Sequence, residues 1–117
     1  MKKLILIILA SSTLLTACNR QDTKLARAVR GSWAHGTHAI TISPDGSFYE
    51  SFQPPKGTLI YRGTWKIKHG ILSFTVTNVS GPEPHEPVGS VDRGKIVSVD
   101  SDNLVYKSQG QTISLSR

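Results

Sequence analysis

From Gly31 onward the chain alternates apolar and polar positions with a period of two, and β-branched and aromatic residues stand between Gly, Pro, Asp and Asn punctuation. Successive side chains of a strand point to opposite faces of its sheet, so this pattern predicts strands that bury one face only. Their expected spans are near 31–35, 38–43, 47–53, 58–68, 71–79, 91–99, 104–108 and 111–116. The clearest run sets Leu59, Tyr61, Gly63, Trp65 and Ile67 on one face against Arg62, Thr64, Lys66 and Lys68 on the other. The next run repeats it, with Leu72, Phe74 and Val76 expected inward and Ser73, Thr75 and Thr77 outward. His69-Gly70 joins the two as a two-residue hairpin turn in which Gly supplies positive φ. Pro44-Asp45-Gly46 and the stretch from Asp100 to Asn103 carry similar turn chemistry.

Upstream of Gly31 the period changes. Asp22 or Thr23 is placed to cap a short helix from Lys24 to Arg30, with Leu25 and Val29 on one face and Lys24, Arg27 and Arg30 on another. That basic face either rests on anionic head groups or is the solvated side of a helix plugging one end of the fold. Eight short sequential strands suggest an all-β protein, a small up-and-down antiparallel β-barrel with a short N-terminal helix. Closure removes the edges that a flat sheet leaves exposed. A half-open barrel or a small sandwich is the alternative. Gly31-Ser32-Trp33 and Gly63-Thr64-Trp65 echo each other 32 residues apart, which supports a meander.

The first seventeen residues read differently again: Lys2-Lys3, an apolar run from Leu4 to Leu15 broken only by Ser11, Ser12 and Thr13, then small residues before Cys18. This is the layout of a signal peptide. A membrane-spanning helix needs roughly 20 apolar residues, and the run stops after about a dozen. Leu15-Thr16-Ala17-Cys18 resembles the bacterial lipobox. The resemblance implies cleavage before Cys18, a diacylglyceryl thioether on its sulfur and acylation, by palmitate or a similar chain, of the new amino terminus. Several acyl chains anchor a protein far more firmly than one, so membrane fractionation is expected. Asn19 after the cysteine, by resemblance to lipoprotein sorting patterns, favours the outer membrane facing the periplasm if the source has two membranes. The expected division is a signal peptide over 1–17, a lipidated tether over 18–24 and a single domain over 25–117. Even fully extended, residues 19–24 reach only about 20 Å, which keeps the domain close to the bilayer.

Composition narrows the chemistry. Cys18 is the sole cysteine, so lipidation leaves no thiol for a disulfide, a redox couple or a nucleophile. Loss of residues 1–17 removes Lys2 and Lys3 from the 14 basic residues, leaving 12 against 8 acidic residues, a net charge of +4. Such an excess suits anionic surfaces. Export and the lack of a basic run interleaved with aromatics argue against nucleic acid as a partner.

Gly31-Ser32-Trp33, following a helical turn and opening a β meander, resembles the lipocalin signature, in which Gly-x-Trp lies on the first strand and the Trp closes the barrel base. The likeness extends over the mature domain in layout and over this tripeptide in motif. No later lipocalin motif matches, although Arg117 near the last strand is suggestive. The chain is much shorter than a typical lipocalin, and it resembles the small lipocalin-like lipoproteins of bacteria. The resemblance implies Trp33 as the barrel-closing residue and a ligand mouth at the opposite rim.

In an up-and-down order the turns at 44–46, 69–70 and 100–103 share one end. The connections at His35 to His38, Pro54-Pro55-Lys56-Gly57, Ser80 to Ser90 and Gln109-Gly110 share the other. Ser80 to Ser90 holds three of the six prolines together with Glu83 and Glu86, and reads either as a stiff recognition loop or as a connection that blocks stray strand pairing. The rim candidates for a ligand or partner are His35, His38, Lys56, Glu83, His85 and Glu86. His35 and His38 flank Gly36-Thr37 and could share a zinc or copper ion, with His85, Glu83 or Glu86 completing the shell; exposed turn histidines are the plainer reading. Glu50, between Phe48 and Phe52, is expected to point inward, where burial would raise its pKa unless an Arg such as Arg62 or Arg93 pairs with it. No catalytic constellation can be assembled and no cofactor is implied beyond the lipid on Cys18. Trp33, Phe48, Phe52, Tyr61, Trp65, Phe74 and Tyr106 are candidates for the interior. If they fill it, the domain is a non-catalytic binding module that meets an envelope protein through its rim; if they leave it hollow, it carries a small apolar ligand.

Overall fold

The computed structural model describes residues 20–53 and 57–117. Cys18, the signal segment, Pro54, Pro55 and Lys56 lie outside the described residues. A helix, α1 (residues 20–28), precedes eight strands. These are β1 (Gly31–His35), β2 (His38–Ile42), β3 (Ser47–Phe52), β4 (Leu59–Lys68), β5 (Ile71–Ser80), β6 (Val91–Val99), β7 (Asn103–Ser108) and β8 (Gln111–Ser116). Each pairs antiparallel with the next, and β8 returns to β1, closing the barrel. The expected strands stand within a residue or so of their spans.

Alternation dictates what fills the barrel. On β4, Leu59 and Tyr61 are buried while Arg62, Thr64, Lys66 and Lys68 are exposed. On β5, Leu72, Phe74 and Val76 are buried. Ser73 is buried as well, although it faces outward; its neighbours in register are Lys66 and Arg93, whose long side chains flank it. Phe52 and Trp65 are only partly buried, but both pack on the core. An apolar interior and a polar exterior are the inverse of a membrane-spanning barrel. Among the described residues, no helix is long and apolar enough to cross a membrane.

Two irregularities break the period. Arg62 pairs with Asn78 but Gly63 with Val76, so Thr77 is an extra residue on β5, and the inward series resumes at Val79. On β6, Ile96 pairs with Tyr106 and Ser98 with Val105; the bulged Val97 between them is 56% exposed.

The turns follow their chemistry. His69 and Gly70 both adopt positive φ, as a two-residue hairpin requires. The Asp45 carboxylate accepts hydrogen bonds from the Ser47 amide and hydroxyl, and that of Asp100 from the Asp102 and Asn103 amides. At the other rim, Gly36-Thr37 and Gln109-Gly110 are two-residue turns rather than long connections. Among the described residues, the long connection at that rim is the β5–β6 loop.

Helix α1 starts at Arg20, ahead of the expected Lys24, and ends two residues before the expected Arg30. Asp22 therefore lies within it and does not act as its cap. Its two carboxylate oxygens accept the amides of His69 and Gly70 at 2.8 and 3.0 Å, docking the first turn on the β4–β5 hairpin. That tertiary contact supports the early start, and residues 20–24 are helical rather than an extended tether. Lys24, Arg27 and Arg30 are exposed, while Val29 is fully buried under the barrel.

The base is closed by side chains from both ends of the domain. Trp33 is 1% exposed, and its Nε1 donates to the Val29 carbonyl at 2.8 Å. The Arg117 guanidinium lies 4.0 Å from the centre of the Trp33 ring, and its Nη2 donates to the Ala28 carbonyl at 3.0 Å. Gly31, at a φ of 120° that disfavours any side chain, leaves room for that guanidinium.

At the β5 bulge, a Cβ on Gly63 would collide with the Thr75 carbonyl oxygen and crowd the Phe48 ring. Gly63→Ala is expected to destabilise the domain by about 3 kcal/mol, the upper part of the range for overpacking. Urea unfolding followed by tryptophan fluorescence measures this. An unchanged midpoint would show that the two strands can separate there at little cost.

Candidate functional site

The end of the barrel opposite Trp33 is hollow. Side chains from β2, β3, β4, β6, β7 and β8 and the β5–β6 loop enclose an open cavity of about 240 Å³. The interior is thus filled at its base and empty at its mouth, between the two alternatives posed by the sequence.

Register brings the groups together. His38 at the start of β2 pairs with Phe52, and Glu50 on β3 pairs with Tyr61 on β4. The ring of His38 stacks on Phe52 at 4.3 Å with planes 6° apart, and its Nε2 meets Glu50 Oε2 at 2.6 Å. Glu50 does point inward, but its partner is His38. Arg62 lies instead over the outward Tyr49 ring, 5.3 Å from its centre, and Arg93 is exposed.

Tyr61 is 2% exposed, and its hydroxyl oxygen accepts the amides of His85 and Glu86 at 2.8 and 3.2 Å. A barrel side chain thereby latches the proline-rich loop over the mouth. Within that loop, Ser90 Oγ donates to the Pro87 carbonyl, and the Gly89 amide to that of Val76.

Asp92 on β6 accepts a hydrogen bond from Ser108 at 2.9 Å and faces the cavity beside Tyr106. Tyr106 is 4% exposed. A Cβ on Gly94 would collide with its ring, so the glycine makes room for the tyrosine. Its hydroxyl has no hydrogen-bond partner among the described residues. Burial first, then the negative charges of Glu50 and Asp92, pushes the phenol well above its ordinary value, so it remains a neutral donor.

The mouth is therefore acidic in a basic domain. Glu50, Glu86 and Asp92 line it, and no Lys or Arg does among the described residues. Burial, then Asp92, then Glu50 holds the Glu86 carboxyl above its ordinary value of 4.5, with His85 acting in the opposite direction.

Of the rim candidates, His38, His85 and Glu86 come together in this cavity. His35 and Glu83 are exposed and do not line it, and Lys56 lies outside the described residues. His35 and His38, the pair expected to share a metal, are cross-strand neighbours, and Nε2 of His38 bonds to Glu50. Among the described residues, no group of three or more His, Cys, Asp or Glu is placed to hold a metal ion.

Asp92 escapes sequence reasoning, although Asp92, Gly94 and Ile96 share one parity on β6, a signal that points the aspartate inward. The Tyr61 latch leaves no sequence trace. The fold and its mouth define a closed eight-stranded antiparallel barrel with an acidic, aromatic-lined cavity at its loop end. Comparison of the chain with protein-family models, curated proteins and solved structures found no match.

The raised Glu86 carboxyl has a consequence for stability. A group whose folded-state pKa is raised contributes stability that is present below its unfolded value and lost as pH rises through the folded one. Near neutral pH the ionised Glu86 thus weighs against the fold, because burial and the charges of Asp92 and Glu50 outweigh the opposite effect of His85. Glu86→Gln is expected to raise the melting temperature slightly at about pH 7, with the gain disappearing below the ordinary value of 4.5. Thermal melts across that range measure it, and a gain of equal size at both ends would contradict the assignment.

Proposed function

We propose that the protein is a lipid-anchored, lipocalin-like lipoprotein of the bacterial envelope and a non-catalytic binding module whose ligand enters the barrel mouth. One observation carries the reading: a hollow of about 240 Å³ stands at the loop end of the barrel, under a loop latched to a buried tyrosine. Stability alone favours a filled barrel, because an empty volume forfeits packing. Charged groups gathered at a hollow point to binding.

The lining offers carboxylates, imidazoles and phenols, groups that can hold a polar ligand by charge and hydrogen bonds. An apolar cargo fits less well. The cavity lies below the roughly 300 Å³ at which small-molecule pockets commonly begin, and covering three carboxylates with hydrocarbon would desolvate them without compensation. The lipid on Cys18 would hold the domain against the bilayer through α1 and leave the mouth facing away from its anchor.

Titration of the full-length chain in nonionic detergent with small cationic, neutral and anionic compounds, followed by amide NMR shifts, tests the reading. At least one compound is expected to move the amides of His85, Glu86, Tyr106 and Ile113 while leaving Leu25 and Val29 in place. No shift at the mouth with any charge class would overturn it.

A further inference from the structure

We propose that the mouth is a site for a small organic cation, a protonated amine held among the carboxylates of Glu50, Glu86 and Asp92 and the rings of Tyr61 and Tyr106. This rests on the mouth being the ligand site and names the class of ligand it takes.

Charge is the first reason. Glu86 and Asp92 come from the β5–β6 loop and the strand it leads into, and Glu50 from the distant β3, which the barrel brings to the same cavity. Glu50 has His38 and Asp92 has Ser108, but the Glu86 carboxylate has no hydrogen-bond or ion-pair partner among the described residues. Like charges gathered in a partly desolvated hollow oppose one another, and a bound cation relieves that opposition. An anion would add to it.

The second reason is independent of the acids. The Tyr106 side chain is more than nine-tenths buried and lines the cavity, and its hydroxyl is unpartnered. No buried side-chain polar atom among the described residues lacks a partner, so this hydroxyl is open to the cavity, where a ligand can complete its hydrogen bonding. Its lone pairs can accept an N–H of an ammonium group. The Tyr61 oxygen is taken by the two loop amides, so that residue contributes its ring to the cavity wall.

Size and surroundings select an organic cation over a bare ion. The cavity of about 240 Å³ is many times the volume needed for one water, roughly 10 to 15 Å³ by the same measure. No group of three or more His, Cys, Asp or Glu among the described residues converges closely enough for a metal. Aromatic rings and Ile113 supply apolar wall for an alkyl body, and aromatic faces attract ammonium groups.

Isothermal titration of the full-length chain in nonionic detergent tests the proposal. The probes are butylammonium, 1,4-diaminobutane and tetramethylammonium chlorides, with 1-butanol, butyrate and potassium chloride as neutral, anionic and ionic-strength controls. At least one organic cation is expected to bind with a sub-millimolar Kd while the controls give no heat. Glu86→Gln and Asp92→Asn are each expected to weaken it about tenfold, as loss of a charge-assisted contact does. Tyr106→Phe, which keeps the ring, should weaken it by a smaller factor. Asp102→Asn makes the same charge change at the opposite end of the barrel and should leave binding unchanged. Unchanged tryptophan fluorescence verifies that each variant is folded. Binding of butanol or butyrate at the mouth without the cations would overturn the proposal and leave the mouth as the ligand site. Cation binding equally strong in the Glu86 and Asp92 variants would overturn it by placing the ligand elsewhere. No binding by any probe, together with no shift at the mouth in the NMR titration, would remove both readings.

Discussion

The Arg117 guanidinium on the Trp33 ring holds together the parts of this fold that are farthest apart in the chain. Closing eight strands into a barrel leaves one seam between the first and the last, and here that seam is short: Ala34 and Ser116 are its single pair in register. The other ladders run for four or more pairs. What the seam lacks in backbone pairing, the base supplies through side chains. Trp33 reaches the Val29 carbonyl, Arg117 reaches that of Ala28, and the Arg117 amide donates to the Asp102 carbonyl. Helix, first strand, last strand and the β6–β7 turn thus meet at one point, in a domain whose sole cysteine lies outside it. Trp33 is buried but Arg117 is exposed, so the ring contact is of the weaker, solvent-exposed kind and acts together with these hydrogen bonds.

Because the base is sealed, the mouth is free to be less than optimal for stability. The lower interior is packed with Trp33, Ile42, Phe48, Leu104 and Leu115, all nearly inaccessible. At the loop end the same inward parity places His38, Glu50 and Asp92 where apolar residues would pack better. A sequence that follows the rules of folding along its strands and departs from them at one end points to that end as its working surface. The height of the rim is uneven for a local reason: two-residue turns at Gly36-Thr37 and Gln109-Gly110 keep it low, and the β5–β6 loop rises beside them, tied down by Tyr61.

The strands are legible in the sequence because each one carries its own evidence. Leu59 to Lys68 needs only the period of two and His69-Gly70 to announce a hairpin, and neither depends on distant residues. The bulges at Thr77 and Val97 are less legible. A single extra residue shifts the phase of an inward series, and locally it resembles ordinary variation. Helix α1 begins earlier than its own capping residues suggest because Asp22 bonds to a turn 47 residues away. The inward turn of Glu50 follows from Phe48 and Phe52 on either side, whereas its pairing with His38 follows from strand register. Tyr61, Asp92 and Tyr106 are each readable as inward-facing. That they share one cavity with Glu86 is a property of closure, which no local pattern encodes.

Residue-resolved amide hydrogen exchange of Arg117→Ala beside the parent chain tests most directly whether closure depends on the clasp. Amides of β1 and β8 are expected to lose protection in the variant while those of the β4–β5 hairpin, held by its own long ladder, keep theirs. Unchanged exchange along β1 and β8, or an equal loss of protection throughout the barrel, would contradict it.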